Sequence, residues 1–132
     1  MSTTPTPNVD RTVEGCQPAD VTPVDIDAGT LDSTAPEYLR DLKRELVEEN
    51  FQPAGLTVDA CFDEDCSLAT QEEIERVRDY VRAASFLGAA RLTLRFDDVA
   101  NEAKVRPAVD ACAERARREG VTLTLDAPIS FD

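Results

Sequence analysis

The sequence predicts an α/β fold: three to four mainly parallel strands, three helices on one face, and a disordered N-terminal tail. Three observations carry this. Segments 56–62, 91–96 and 121–126 each alternate between apolar and polar residues, the period of a strand with one buried face. Leu56, Val58, Ala60 and Phe62 oppose Thr57, Asp59 and Cys61; Leu92, Leu94 and Phe96 oppose Arg91, Thr93 and Arg95; Val121, Leu123 and Leu125 oppose Thr122, Thr124 and Asp126. Helix-length segments separate these strands, which implies parallel pairing. Parallel strands covered on both sides read as continuous apolar runs. Alternation therefore places helices on one side and leaves a polar face on the other, the natural place to look for function.

The elements follow in order. Residues 1–20, low in hydrophobicity and rich in Thr, Pro and Asp, predict a flexible tail, and residues 21–132 a single α/β domain. Residues 21–27 suggest a weak first strand, which Pro23 confines to an edge or a strand start. Thr34 as N-cap, Pro36 in the first turn and Glu37 at capping-box spacing open the first helix. Tyr38, Leu39, Leu42, Leu46 and Val47 form its apolar stripe, and it ends near Asn50. Pro53 and Gly55 lead into the strand at Leu56. Thr70 and Glu73 form a second capping box. Ile74, Val77, Val81 and Ala84 line that helix, Phe86 and Leu87 close it before Gly88, and Glu72, Glu73, Arg76, Asp79 and Arg82 face solvent. The third helix begins between Asn101 and Pro107, with Pro107 near its first turn, because an interior proline costs about 3 kcal/mol. Val105, Ala108, Val109, Cys112 and Ala116 face inward. Arg115, Arg117 and Arg118 crowd the last turn, where the helix dipole favours cations, and Gly120 supplies a left-handed C-cap.

Composition narrows the function classes. The chain has 132 residues, a net charge of −13, and no His or Trp. Lys43 and Lys104 are its two lysines; every other cation is Arg. Acidity with scarce Lys and abundant Asp, Ala and Val resembles salt-adapted haloarchaeal proteins, and the charge reads first as solubility in concentrated salt. Nucleic acid is disfavoured because no basic stripe appears. No apolar stretch reaches about 18 residues, so no membrane span is expected. The N-terminus lacks a basic and apolar leader, so a cytoplasmic location with reduced cysteines is the expectation.

The segments EEIERVRDYVRAASFLGAARLTL and VRPAVDACAERARREGVTLTLDAP resemble the xylose-isomerase-like sugar phosphate isomerase and endonuclease superfamily, and LKRELVEENFQPAGLTVDACF resembles its preceding helix and strand. The resemblance spans residues 37–126 and rests on helices that end in Leu-Gly-Ala or Gly-Val just before a strand. It implies a TIM-barrel-like fold in which polar strand faces line an interior cavity. A full barrel needs roughly 250 residues, so this chain is half-TIM-barrel-like. It implies as well that the other half comes from a second copy or a partner half-barrel, or that the half stands alone as a two-layer sheet. Enzymes of the superfamily hold divalent metals through His, Glu and Asp at the strand ends. This chain has no His, and Asp126 stands where the family usually carries Glu.

Asp59, Arg91, Arg95 and Asp126 are the candidate ligand-binding residues, all on the polar strand faces. Asp59 and Asp126 with Glu64 (or Asp65) are an oxygen-ligand set for Mg²⁺ or Mn²⁺. Arg91 and Arg95 would grip a phosphate or carboxylate bidentately. The plainer alternative is that Asp59 and Asp126 simply pair with Arg91 or Arg95. Cys61 and Cys66 flank the acidic loop CFDEDC and, with Cys112 or Cys16, are the candidates for a thiolate zinc site, or with each other for a disulfide; Cys112 reads equally as core filler. A Ser-His-Asp or Cys-His arrangement is impossible without histidine. The five glycines are scattered, so there is no phosphate loop. No cofactor is therefore predicted beyond the possible divalent metal. The leading reading is a non-catalytic or degenerate barrel-like binding and assembly module. The alternative is a sugar-phosphate isomerase or epimerase whose site forms only in an oligomer or with a partner.

Overall fold

The computed structural model describes residues 21–129. The expected tail over 1–20, and Cys16 with it, lie outside them. The described residues form β1 (Thr22–Asp27), a 3-10 turn (Ala28–Thr30), α1 (Pro36–Glu48), β2 (Phe51–Asp59), α2 (Ser67–Leu87), β3 (Arg91–Arg95), α3 (Glu102–Arg118) and β4 (Thr122–Asp126). The four strands make one sheet in the order β1-β2-β3-β4, every pair parallel. This is the one-sided parallel sheet that the alternation predicts, in the half-barrel-like arrangement that the resemblance implies.

One side of the sheet carries the core. Leu56, Val58, Leu92 and Leu94 are at most 1% exposed and pack beneath α2 and α3. From α2 come Ile74, Val77, Val81 and Ala84; from α3 come Val105, Val109, Cys112 and Ala116. Phe62 and Phe96, just past their strands, meet edge to face with centroids 4.9 Å apart and close the core at the strands' C-terminal end. Leu39 of α1 packs with Ala83 and Leu87 of α2 in a smaller cluster. The opposite side of the sheet has no covering layer among the described residues, and Arg91, Arg95, Asp59 and Asp126 are exposed on it.

Several boundaries differ from the sequence expectation, each for a physical reason. β2 starts at Phe51, not Leu56, and takes in Pro53 and Gly55. Over residues 51–54 only β1 pairs with it, since β3 joins at Gly55, and a proline is tolerated where one side of the strand has no partner. At Gly55 an added Cβ would meet the exposed Asp25 carboxylate, which would have to swing aside, and Arg91 Nη2 lies 3.4 Å away. The N-cap of α1 is Ala35, not Thr34; Ser33 Oγ instead accepts from the Ala35 N–H at 2.9 Å. Val47 is 62% exposed, outside the α1 stripe. α2 begins at Ser67, three residues before the expected capping box, which leaves Thr70 inside the helix and buried. Phe86 is exposed, and Leu87 alone closes that face. Pro107 sits in the second turn of α3, not the first. Pro107 and Ala103, whose carbonyl the missing N–H would have met, are both exposed, so water can serve that carbonyl. Asn101 caps α3 by accepting from the Lys104 N–H. Gly88 and Gly120, both at φ +82, end α2 and α3 in the left-handed conformation that the sequence predicts for Gly120.

Candidate functional site

The strand register stacks the polar face into layers. At the N-terminal end lie Asp25, Gly55, Arg91 and Thr122; in the middle Asp27, Thr57, Thr93 and Thr124; at the C-terminal end Asp59, Arg95 and Asp126. Parallel strands in register set each row side by side, about 4.8 Å from strand to strand. Two of the four ligand candidates, Asp59 and Asp126, therefore flank a third, Arg95. Arg91 shares their face but stands four residues down β3, about 13 Å away, so the fold separates it from the other three.

Arg95 Nε donates to Asp59 Oδ1 at 2.8 Å, in a pair that is half open to solvent. The hydrogen bond from Arg95 holds the Asp59 carboxyl below its ordinary value. The bond to Asp59, followed by the charges of Asp59, Asp27 and Asp126, raises the Arg95 guanidinium above its own. One fixed cation is thus surrounded by three carboxylates. The hollow above them has a volume of about 450 Å³ and is lined by Asp59, Ala60, Arg95, Phe96, Asp97 and Asp126. One layer below, the hydroxyls of Thr93 and Thr124 share a hydrogen bond of 3.1 Å.

A clamp from α2, made by a partly buried Glu73 and an exposed Arg76, positions the C-terminal end of β2. Glu73 accepts from the Cys61 N–H at 2.7 Å and pairs with Arg76 at 2.9 Å. Arg76 also donates to the Asp59 carbonyl at 2.6 Å and lies over the Tyr80 ring. Glu73 is therefore not the N-terminal cap that its spacing from Thr70 suggested. It ties the helix to the strand end that carries Asp59. Glu-x-x-Arg at i, i+3 is a visible ion-pair spacing, but the third partner, twelve residues upstream of Glu73, leaves no local signal.

The metal set does not come together. Glu64 lines a different hollow, of about 340 Å³, with Cys61, Thr70, Glu73 and Arg76 among its walls. Asp65 is engaged by Lys104 Nζ at 3.0 Å and Asn101 Nδ2 at 3.1 Å, and the bond from Lys104 holds its carboxyl below the ordinary value. Among the described residues no three His, Cys, Asp or Glu side chains group closely enough to hold an ion. An ion bridging Asp59 and Asp126 would have to displace the Arg95 guanidinium between them. Cys61 and Cys66 are exposed free thiols, and Cys112 is buried in the core. Cys61 donates to Asp63 Oδ1 at 2.9 Å, and this bond raises its thiol pKa; burial raises that of Cys112. No helix among the described residues is long and apolar enough to cross a membrane.

A family model described as a domain of unknown function, DUF8564, matches residues 20–125, the whole of the sheet and its helices up to the last strand. The chain belongs to the DUF8564 family. No curated protein matches it. Among solved structures, the DUF8564 fold is similar to a xylose isomerase domain protein from Planctomyces limnophilus, with a TM-score of 0.64, 12% identity, 86% of this chain covered and 46% of the other. It is likewise similar to the IolI protein, described with a bound zinc atom, with a TM-score of 0.58, 17% identity, 91% of this chain covered and 46% of the other. At these identities the likeness concerns the fold alone: xylose-isomerase-like and half-TIM-barrel-like. The chain spans less than half the length of either.

Proposed function

We propose that this domain is a non-catalytic binding and assembly module that works through the polar face of its sheet, in a salt-rich cytoplasm. The observation that carries the reading is the Asp59–Arg95–Asp126 row, which lies open on a sheet face that whole barrels enclose. The acidic, lysine-poor composition supports the salt-adapted setting. The absence of histidine from the sequence supports a role other than metal-dependent isomerisation. An exposed ion pair contributes little to folding, so the alignment of charges is better explained by recognition than by stability.

Arg95→Leu is accordingly expected to keep the circular dichroism spectrum and melting curve of the wild type. In molar KCl, the amide signals of Thr57, Thr93, Arg95 and Thr124 should shift as protein concentration rises or inorganic phosphate is added. The corresponding shifts should vanish in Arg95→Leu. Loss of folding in the variant, or wild-type shifts confined to the outer helix surfaces, would contradict the reading.

A second reading is favoured by the position of the hollow: it lies at the C-terminal ends of parallel strands, where barrel enzymes place their chemistry. On that reading the domain is part of a sugar-phosphate isomerase or epimerase completed by an oligomer or a partner half-barrel, with Asp59, Asp126, Arg91 and Arg95 contributing to the site. It requires Mn²⁺ or Mg²⁺ to raise the melting temperature, by mass action on the folded state. An unchanged melting temperature across several divalent metals counts heavily against it.

A further inference from the structure

We propose that the occupant of the polar face is a second copy of this chain, and that two copies close one eight-stranded barrel with a two-fold axis along its bore. The proposal rests on the assembly reading above and names the partner.

Four observations point to a copy. First, the sheet order is sequential and all-parallel, and among the described residues neither β1 nor β4 has a neighbour on its outer side. A half-turn about an axis running through the bore carries β1 of one copy alongside β4 of the other in the same direction. Both seams then form at once and the ring closes. Second, the similar solved structures exceed this chain by about the amount a second copy would add, since it spans 46% of each. Third, the β4 edge is unfinished, whereas β1, the other side of each seam, carries Pro23 and a register irregularity between Val24 and Asp25. The Thr122 N–H donates to Ala90 O, and Asp126 O accepts from the Phe96 N–H. Alternation therefore turns the amides of Leu123 and Leu125 toward the bare side. No lysine, proline or bulge guards β4, the usual devices of an edge that must stay unpaired. On the core side, Ile26 of β1 and Leu125 of β4 are only partly buried, whereas Leu92 and Leu94 of the central β3 are fully so. Fourth, the face holds only a small part of the chain's net charge. It carries four aspartates and two arginines, although the whole chain has a net charge of −13. Most of the surplus charge thus lies elsewhere, and salt screening lets like copies approach; the Debye length is about 3 Å at 1 M. Closure would bring two Asp59–Arg95–Asp126 rows to one mouth of the barrel, a site that a single copy only half supplies.

Sedimentation equilibrium in molar KCl tests this, together with Thr93→Arg. Thr93 is partly exposed on the open face of one copy, so the longer side chain has room there. The interior of an eight-stranded barrel is just wide enough for the side chains that fill it, so two added arginines in its middle layer should overfill it. The expected result is a two-chain species whose dissociation constant rises by about a hundredfold or more in Thr93→Arg, while the melting curve of the dilute protein is kept. In the wild type, amide exchange at Leu123 and Leu125 should slow on assembly. Should the variant fail to fold, this protection decides alone. A monomer at every concentration overturns the second-copy proposal, and shifts at Thr57, Thr93 and Arg95 on adding phosphate would still leave the module reading standing. A dimer that persists in Thr93→Arg, or one in which Leu123 and Leu125 exchange freely, would show that the copies meet elsewhere and overturn the barrel.

Discussion

Leu92→Ala is expected to lower unfolding stability by about 2–5 kcal/mol, while Thr93→Val, one residue along, changes it by no more than about 1 kcal/mol. Leu92 is fully buried on the central strand, between Leu56 and Leu123 in register, and its removal leaves a cavity beneath α2 and α3. Thr93 points to the other side, and its valine variant gives up one hydroxyl contact with Thr124. Urea unfolding with unchanged m-values measures both. Comparable losses at the two positions would mean that both faces are covered, and the open polar face would be lost with them.

Glu73→Ala is expected to cost about 1–3 kcal/mol, a large effect for a polar residue on a helix surface. Its carboxylate is 16% exposed and serves both the Cys61 N–H and Arg76. Glu73→Gln retains an acceptor for Cys61 and should recover part of the loss. The charge adds a pH signature. Burial pushes the Glu73 carboxyl upward, but the bonds from Arg76 and the Cys61 N–H and the Arg76 charge outweigh it, and the net position is below the ordinary 4.5. A carboxyl depressed in the folded state stabilises fully above its unfolded value, and that stability is lost as pH falls through the folded one. The stability gap between wild type and Glu73→Gln should therefore be constant near neutrality and shrink below about pH 4.5. Asp59 and Asp65 are depressed as well, so the difference between the two proteins, not the wild-type curve, isolates Glu73. A gap independent of pH would remove Arg76 and Glu73 from the account of how the end of β2 is held.

The sequence was most legible where one periodicity decided the outcome. Period two placed Leu92 and Leu94 under the helices and Thr93 and Arg95 on the reverse, because one-residue slips would exchange the faces entirely. It brought Asp59, Arg95 and Asp126 together as the last polar residues of three aligned strands. Alternation does not give height along the strand, which is why Arg91 was grouped with residues a full strand length away. Local rules failed where a distant partner competed. Thr70 and Glu73 have capping-box spacing, yet Glu73 gains more from the Cys61 N–H and Arg76 than from a helix end. Pro53 and Gly55 read as the lead into a strand at Leu56, since nothing local reveals that β1 alone flanks Pro53 or that the Asp25 carboxylate lies over Gly55. Pro107 was pulled toward the first turn by its missing N–H, whereas an exposed carbonyl made the second turn tolerable.

The measurement that bears most directly on the fold is a set of inter-strand nuclear Overhauser contacts from the labelled protein. We expect Leu92 methyls to contact Leu56, Leu123 and the α2 valines, and the Thr93 methyl to contact Thr124 with no signal from α2 or α3. Contacts from Thr93 or Arg95 to Val77 or Val81, or an antiparallel pattern between β3 and β4, would contradict the one-sided parallel sheet and the row of charges built on it.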